Sequence, residues 1–401
     1  MRVKILPSRA CGSVSAPPSK SMAHRMLICA GLCEGVSTIR GIEASEDILA
    51  TLDCLAAIGA TYKMDGNCVE LRGVDVRRAS ITAPLPCRES GSTLRFFIPL
   101  ALIGAKPVLL TGAPRLLERP QSVYEALCTD RGLGFCNDGE KIEVCGPLVG
   151  GRYSVRGDVS SQFISGLLLA LPLLEGESEI VIEGKLESRP YIDLTLSALA
   201  TFGIRAEWKD ERTLAIAGGQ RYLPADVTVE GDYSNAAFFE ALNLLGGRVE
   251  VTGLSQESLQ GDRAYKKYFE ALSAGEATLD LADCPDLAPI LMALAAELHG
   301  ATLTGTARLR IKESDRATAM ARELARLGAK VEIEADRVRV RALPLHPPTE
   351  PLCGHNDHRI VMALSILLTR YGGEIDGAEA VAKSLPDFFE RLQELGIGMT
   401  V

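Results

Sequence analysis

The chain has 401 residues, more than one ordinary hydrophobic core accommodates, so two domains are expected. Apolar residues make up 47% and charged residues 24% of the sequence, which excludes a disordered chain. The net charge of -9 argues against a general nucleic-acid binder, although an acidic protein can bind anions where its bases converge.

The eleven cysteines are scattered without C-x-x-C pairs or zinc-ligand spacing. We therefore expect reduced thiols in a cytoplasmic protein, most of them small core residues. The N-terminus lacks the apolar core of a signal peptide. The longest apolar run, residues 163–174, is too short to span a bilayer, so no membrane association is expected.

One unit recurs along the chain: a helical stretch ends in Leu-Gly or a similar pair, and a strand, a polar turn and a second strand follow. The copies lie at Gly59, Gly134, Gly203 and Gly328, with a weaker one near Gly275 and a last Leu-Gly pair at Gly396. The glycine marks a helix C-cap, and the D-G tips indicate hairpins. Their spacing of about 70 residues exceeds solenoid periods and favours β/α modules about a pseudo-symmetry axis. Ordinary β/α alternation with coincidental Leu-Gly caps is the alternative.

The first polar segment in chain order is A-P-P-S-K-S-M-A-H-R, where a helix is expected to begin after two prolines. Lys20, Ser21 and Arg25 add an ammonium, a hydroxyl and a guanidinium to the N–H groups of a helix start, which suits an anion. The alternative is Ser19 as a plain N-cap with solvated bases. His24 is expected to be a surface or packing residue.

Three further segments follow in the N-terminal half. Gly91, in R-E-S-G-S-T, lets a ligand approach the backbone, although a capped helix start is equally compatible. Arg119 stands before Pro120, as a carboxylate or phosphate fork or as a solvated loop residue. In V-S-S-Q-F two hydroxyls and an amide exceed what helix capping needs, and S-R-P-Y follows nearby. The candidate ligand-binding side chains there are Ser160, Ser161, Gln162, Ser188, Arg189 and Tyr191.

The C-terminal half carries four more segments. Asp286 precedes a strongly apolar helix, where a plain N-cap is the alternative. K-E-S-D-R concentrates charge between apolar flanks, in the candidate residues Lys312, Glu313, Asp315 and Arg316. H-N-D-H-R contains an H-x-x-H spacing without a third ligand nearby, so no metal is expected. That segment contributes Asp357, His358 and Arg359, and Lys383 precedes the last helix.

Most of these polar clusters stand where a predicted strand passes into a helix. Helix N-termini directed at one cleft would make a positive site in an acidic protein.

In this order, the segments S-K-S-M-A-H-R, V-S-S-Q-F, K-E-S-D-R, N-D-H-R and A-K-S-L-P-D-F-F resemble the 5-enolpyruvylshikimate-3-phosphate synthase family of enolpyruvyl transferases. The resemblance covers nearly the whole chain. It implies an α/β fold of two similar domains, each of three repeated β/α units in an inside-out α/β barrel, with the active site in the interdomain cleft. With turns near residues 15–20 and 218–224, it implies a discontinuous domain 1 of residues 1–16 and 226–401 and an inserted domain 2 of residues 17–225.

The resemblance also implies the reaction. Phosphoenolpyruvate donates its enolpyruvyl group to the 5-hydroxyl of shikimate 3-phosphate and phosphate is released, through a tetrahedral intermediate, in the shikimate pathway to chorismate and aromatic amino acids. No metal or organic cofactor is needed, and a cytoplasmic monomer without nucleic-acid or membrane partners is expected. The family's herbicide inhibitor, glyphosate, occupies the phosphoenolpyruvate site and extends further than the substrate.

By motif, the resemblance assigns roles to sixteen positions. Shikimate 3-phosphate is expected to contact Lys20, Ser21, Arg25, Ser160, Ser161, Gln162, Ser188, Tyr191, Asp286 and Lys312. Phosphoenolpyruvate is expected to contact Lys20, Gly91, Arg119, Gln162, Arg316, Arg359 and Lys383. Asp286 takes the hydroxyl proton, and Glu313 with Lys20 handles protons at the vinyl carbon.

Two departures from the family pattern stand out. The family often has N-A-G-T where this chain has Glu89-Ser90-Gly91-Ser92, so Glu89 is expected to point away from the site or to pair with Arg88. Arg308 stands where many relatives have an asparagine on the shikimate side.

Two alternatives of function remain. The sister enzyme, which transfers enolpyruvyl to UDP-N-acetylglucosamine, usually has asparagine after the N-terminal lysine and a reactive cysteine in its mobile loop. Here Ser21 follows Lys20, and no cysteine lies close to Arg119. A non-catalytic anion-binding module of the same architecture would be favoured by loss of Asp286 or Glu313, and both are present.

Overall fold

A computed structural model describes residues 1–400. The chain forms two compact units: unit 1 comprises Met1–Pro17 and Gly231–Val401, and unit 2 comprises Pro18–Glu230. Residues 226–228 form a strand in a sheet of unit 2, so the chain returns to unit 1 after Glu230 and not at residue 226. That these units are independently folding domains, one discontinuous and one inserted into it, stays a prediction.

The helices, in chain order, are α1 Lys20–Gly31, α2 Glu46–Ala57, α3 Gly91–Ala101, α4 Pro114–Glu118, α5 Ser122–Arg131, α6 Ser161–Ala170, α7 Arg189–Thr201, α8 Tyr233–Leu244, α9 Tyr265–Ala274, α10 Ala288–Glu297, α11 Arg316–Ala325, α12 His358–Tyr371 and α13 Phe388–Glu394. The strands are β1 Arg2–Ile5, β2 Cys11–Ser15, β3 Val36–Arg40, β4 Thr61–Asp65, β5 Cys68–Arg72, β6 Leu85–Pro86, β7 Val108–Thr111, β8 Gly134–Asn137, β9 Lys141–Cys145, β10 Arg152–Arg156, β11 Ser178–Glu183, β12 Ala206–Trp208, β13 Thr213–Ile216, β14 Asp226–Thr228, β15 Arg248–Thr252, β16 Ala277–Asp280, β17 Ala301–Thr304, β18 Lys330–Ile333, β19 Arg337–Arg341, β20 Leu352–Cys353, β21 Gly373–Asp376 and β22 Met399–Thr400.

Unit 2 contains three sheets with one shared topology. Their strand orders are β14-β3-β5-β4, β6-β7-β9-β8 and β10-β11-β13-β12. In each sheet the first two strands are parallel and the last two form an antiparallel hairpin. The predicted repeat is confirmed, with one difference: the left-handed cap of α5 is Gly132, and Gly134 already begins β8.

Unit 1 contains one sheet of this topology, β16-β17-β19-β18. A second sheet, β20-β21-β1-β22, has the same order of parallel and antiparallel pairs, but its last two strands come from the two ends of the chain and not from a hairpin. Its third module has only the parallel pair β15-β2. After α9 the chain passes Gly275 and enters β16, the first strand of the next module, without forming a hairpin. This explains why the sequence repeat is weak near Gly275.

Asn243 occupies the edge that the missing hairpin leaves open. Arg248 directs its N–H to Ala10 on the β2 side, so the N–H and C=O of the next residue, Val249, point to the opposite edge. There the Asn243 amide accepts from the Val249 N–H at 2.6 Å and donates to the Val249 carbonyl at 2.8 Å. One side chain thus satisfies the backbone groups that a neighbouring strand would pair with.

Replacing Asn243 with alanine should lower the free energy of unfolding by about 1–3 kcal/mol, because two backbone groups lose their partners. The opened strand edge should also promote self-association. Urea unfolding and sedimentation measure the two effects. Asn243→Asp, which keeps the acceptor alone, should fall between wild type and Asn243→Ala; equal stability of all three would contradict the role.

Two of the helices that carry the polar segments, α6 and α10, lie in the interior of their units. In α6 every residue except Gln162 is buried, and in α10 every residue except Glu297 is buried. A helix that is apolar on all sides needs neighbours on all sides, and α3 packs on α6 while α8, α10 and α12 pack on one another. Within residues 1–400, none of the helices combines the length and apolarity that a membrane span requires.

Candidate active site

In unit 2 the first polar segment forms the N-terminus of α1. Ser19 is the N-cap and its hydroxyl accepts from the Met22 N–H. Lys20 lies in the first turn, with its ammonium 2.7 Å from the carboxylate of Asp47 in α2. Both side chains are largely buried, so Asp47 fixes the position of an ammonium that the resemblance assigns to both substrates. Asp47 was not identified from the sequence.

Arg25 is almost fully engaged by the protein itself. Its Nε donates to Thr195 at 2.8 Å, Nη1 to the Ser21 carbonyl at 2.6 Å, and Nη2 to the Tyr191 carbonyl and to Ser165. Arginine has five N–H donors, so these four bonds leave one for a ligand. The residue ties α1 to α6 and α7, and burial lowers its pKa to about 10.

His24 is a packing residue and not a surface residue. Its Nδ1 lies 2.7 Å from the Thr51 hydroxyl, which lies 2.7 Å from Thr93. Thr93 in turn donates to the hydroxyl of Ser90, the N-cap of α3. A buried hydrogen-bond chain therefore connects α1, α2 and the start of α3.

Burial, with Lys20 and Arg25 nearby, lowers the pKa of His24 well below 6.5. Between the folded and the unfolded pKa the unfolded chain binds one more proton, so stability should fall as pH falls below about 6.5. The contribution is at most about 1.4 kcal/mol per pH unit for one proton. Unfolding of wild type and His24→Asn between pH 5 and 7.5 measures it, and parallel stability curves would contradict the assignment.

Gly91 and Arg119 meet at the N-terminus of α3. A Cβ built on Gly91 would lie 2.3 Å from Nη1 of Arg119, so only glycine lets this guanidinium approach the helix start. Arg119 is buried, at the end of α4.

Arg88, which precedes this segment, is held by two ion pairs, with Glu46 at 2.5 Å and with Asp53 at 2.7 Å.

Gln162 is held in one orientation by two neighbours from α3. Its Oε1 accepts from Arg95 at 2.8 Å, and its Nε2 donates to the Ser92 hydroxyl at 2.9 Å. Arg95 also donates to the Pro120 carbonyl and lies over the Phe163 ring. The sequence identified Gln162 but not Arg95, although Arg95 lies in the segment that contains Gly91.

The remaining candidate hydroxyl side chains of unit 2 lie at the starts of helices. Ser160 caps α6 by accepting from the Gln162 N–H, and Ser161 begins that helix. Ser188 precedes α7 in a left-handed conformation with φ of 57°. For a residue other than glycine this costs about 1–3 kcal/mol and is found most often at functional sites. Tyr191 lies in the first turn of α7.

In unit 1 the polar residues gather around Arg316, the first residue of α11. Its guanidinium contacts Asp286 at 2.7 Å, Glu313 at 2.8 Å and Asp357 at 2.9 Å. Asp357 is fully buried and also caps α12 by accepting from the Arg359 N–H. One arginine thus orients both carboxylates that the resemblance assigns to chemistry, and Asp357 anchors that arginine.

Asp286 remains ionised in this setting. Burial alone would raise its pKa, but Lys312, Arg316 and Arg359 lower the pKa well below its ordinary value. The Lys312 ammonium lies 3.2 Å from the same carboxylate oxygen that Arg316 contacts. Burial lowers the pKa of Lys312, and Asp286 opposes that shift.

Two nitrogens of the Arg359 guanidinium donate no hydrogen bond within the protein. The residue is 4% exposed, yet its Nε and Nη1 have no hydrogen-bond partner, and its Nη2 lies 3.8 Å from Asp286. Buried guanidinium donors without partners are costly, and a bound anion would remove that cost. Lys383 donates to the Asn356 carbonyl at 2.7 Å, just before the same helix. Arg308 is buried and donates to the Ala282 carbonyl.

Within residues 1–400 no three His, Cys, Asp or Glu side chains form a group suited to a metal ion. His355 of the H-x-x-H pair instead contacts Glu323 at 2.8 Å.

Comparison with known proteins tests the family resemblance. The model of the family described as EPSP synthase (3-phosphoshikimate 1-carboxyvinyltransferase) matches residues 6–392. The 3-phosphoshikimate 1-carboxyvinyltransferase of Clostridium kluyveri is 39% identical over 423 residues, covering 98% of this chain and 97% of that protein.

Two solved structures share the fold. An EPSP synthase from Acinetobacter baumannii has a TM-score of 0.79 at 23% identity, over 100% of this chain and 99% of that chain. The enolpyruvyl transferase NikO from Streptomyces tendae has a TM-score of 0.80 at 15% identity, over 100% and 98%. These likenesses confirm the predicted two-domain fold of repeated β/α units. From the family match and the Clostridium relative together, the chain belongs to the EPSP synthase (3-phosphoshikimate 1-carboxyvinyltransferase) family.

Proposed function

We propose that this chain transfers the enolpyruvyl group of phosphoenolpyruvate to the 5-hydroxyl of shikimate 3-phosphate and releases phosphate. The observation that carries the proposal is the cluster around Arg316, where the ionised carboxylate of Asp286 and the side chain of Glu313 lie within 2.8 Å of one guanidinium. Such a pair of positioned carboxylates suits proton transfer in both steps of an addition and elimination.

The unit 2 residues are proposed to hold shikimate 3-phosphate. Ser160, Ser161, Ser188 and Tyr191 stand at the N-termini of α6 and α7, where N–H groups and hydroxyls favour a phosphate. Ser21 is proposed to join them, with Arg25 supplying its one remaining N–H. Lys312 and Asp286 of unit 1 complete the proposed set.

Phosphoenolpyruvate is proposed to lie against a second set of bases, of which Arg359 offers the clearest free donors. Arg359 has two buried donors without partners, and Arg119 lies beside Gly91. The other proposed contacts are Lys20, Gln162, Arg316 and Lys383. A bound anion beside Arg359 and Arg316 offsets the charges that lower the pKa of Asp286, so substrate binding makes Asp286 a stronger base.

In the proposed sequence, Asp286 accepts the proton of the 5-hydroxyl as its oxygen attacks C2 of phosphoenolpyruvate, and Glu313 with Lys20 delivers a proton to C3. Phosphate then leaves from C2 and the same groups remove a proton from C3, which restores the double bond. We also propose that the chain acts as a cytoplasmic monomer; its eleven cysteines are all free.

A phosphate-release assay tests the reaction. Release should require both substrates and should persist in EDTA. Replacing shikimate 3-phosphate with UDP-N-acetylglucosamine should abolish it. Release from phosphoenolpyruvate alone, or release supported by the nucleotide sugar, would overturn the assignment.

Gly91→Ala should raise the KM for phosphoenolpyruvate by about 5- to 100-fold, because the new methyl must displace the Arg119 guanidinium, at an overpacking cost of about 1–3 kcal/mol. The inhibition constant of glyphosate should rise further, since that ligand is longer. Gly104→Ala is the matched control, because a Cβ there meets no atom within 4 Å. Equal changes in KM and in the inhibition constant would show that residue 91 does not line the pocket.

A further inference from the structure

Glu323, in α11, is a fully buried carboxylate outside the cluster around Arg316. Its Oε1 lies 2.8 Å from Nε2 of His355, and its Oε2 accepts from the Cys353 N–H at 3.0 Å and from Arg326 at 3.1 Å. A carboxylate is rarely buried to this extent without a specific purpose. Two of its three partners, the Cys353 N–H and the His355 ring, belong to the segment that precedes α12, residues 353–357.

That segment has an unusual backbone. His355 and Asn356 adopt left-handed conformations with φ of 50° and 52°, although neither is glycine. Two successive residues in this region persist only where surrounding contacts hold them. His355 is held by the bond between its ring and Glu323 and by the bond from its N–H to Cys353 Sγ.

The segment places groups of the proposed phosphoenolpyruvate site. The Asn356 carbonyl accepts from the Lys383 ammonium at 2.7 Å. Asp357, the next residue, holds Arg316 through two of its nitrogens and caps the helix turn that carries Arg359. A shift of residues 355–357 would therefore move three bases together.

We propose that Glu323 and His355 form a positioning pair: the buried carboxylate holds the histidine ring, and the ring keeps residues 355–357 in the turn that places Lys383, Arg316 and Arg359. Neither member touches a reacting atom. The inference rests on the proposed function, because it assigns these three bases to phosphoenolpyruvate.

The backbone conformation and the side-chain contact can be separated by choice of variant. Asparagine tolerates the left-handed region but is too short to reach Glu323, so His355→Asn keeps the turn allowed and removes the contact. Glutamine is long enough to present an N–H to the carboxylate, so His355→Gln should restore it. Arg326→Ala removes a different partner of Glu323, on a side chain that is 29% exposed, and serves as the matched control.

His355→Asn should lower kcat/KM for phosphoenolpyruvate by about 10- to 100-fold, the range for a misplacement on the order of 1 Å. The dissociation constant of shikimate 3-phosphate alone should change far less, because eight of its ten proposed contacts lie in unit 2, and the other two, Asp286 and Lys312, are linked to this segment through Arg316. His355→Gln should recover most of the loss, and Arg326→Ala should match wild type. A destabilised protein would instead lose both substrates together.

Hydrogen exchange provides a readout that does not depend on activity. The Asp357 N–H, bonded to the Gly354 carbonyl at 2.9 Å, and the Cys353 N–H should exchange faster in His355→Asn than in wild type or Arg326→Ala. Unchanged exchange would overturn the claim that the pair holds the segment. Faster exchange with an unchanged kcat/KM for phosphoenolpyruvate would overturn the claim that the segment positions the bases. An inactive wild type would instead refute the proposed function, and the exchange comparison would still decide whether the pair holds the turn.

Discussion

Replacing Asp286 with asparagine is expected to lower turnover by about two to four orders of magnitude, the range for a positioned general base. The carboxylate is ionised beside Lys312, Arg316 and Arg359, and asparagine keeps its shape while removing its ability to accept a proton. The KM values should change far less than kcat. Glu313→Gln should reduce turnover within the same range.

Steady-state kinetics with both substrates measures the effect, and thermal unfolding checks that the variant is folded. Asp283→Asn is the matched control, since this exposed carboxylate lies three residues earlier in the same loop. Near-normal turnover in Asp286→Asn would remove Asp286 from the mechanism.

Asp357→Ala is expected to have the largest effect on stability, a loss of about 3–5 kcal/mol in the free energy of unfolding. The carboxylate is fully buried and its partner Arg316 is 1% exposed, so removing one leaves the other charge buried without its main support. Loss of the N-cap of α12 adds about 1 kcal/mol.

Urea unfolding measures this loss, and Asp315→Ala provides the comparison. Asp315 also caps a helix, α11, through the Thr318 N–H, but it is only half-buried and holds no buried arginine. It should lose only the contribution of a cap, about 1 kcal/mol. Equal losses in the two variants would show that the ion pair with Arg316 contributes nothing beyond capping.

The variant Asp357→Ala should also lose activity beyond what unfolding explains, because Arg316 orients Asp286 and Glu313. Adding a stabilising concentration of osmolyte should restore the folded fraction but not kcat. Recovery of both would limit Asp357 to a role in stability.

Local patterns in the sequence determined the modules. A left-handed glycine between a helix and the hairpin that follows it, and a polar turn between two alternating strands, act over a few residues, as at Gly59 and Gly203. The helix starts were visible for the same reason, because Ser160 and Asp357 cap the helix that directly follows them. The family and its reaction followed from the motifs, which are short and contiguous.

Only the tertiary structure determines which side chains that are far apart in the sequence form hydrogen bonds and ion pairs with one another. Arg25 and Thr195 are 170 residues apart, and Arg316 and Asp357 are 41 residues apart. No local pattern therefore predicts that the protein itself accepts most of the hydrogen bonds of Arg25, or that Asp357 holds Arg316 in place. Asn243 closes an edge that exists only because the third module lacks a hairpin. Hydrogen bonds and ion pairs depend on positions to within a few tenths of an ångström, which the packing of whole modules sets and the residue pattern of a single segment does not.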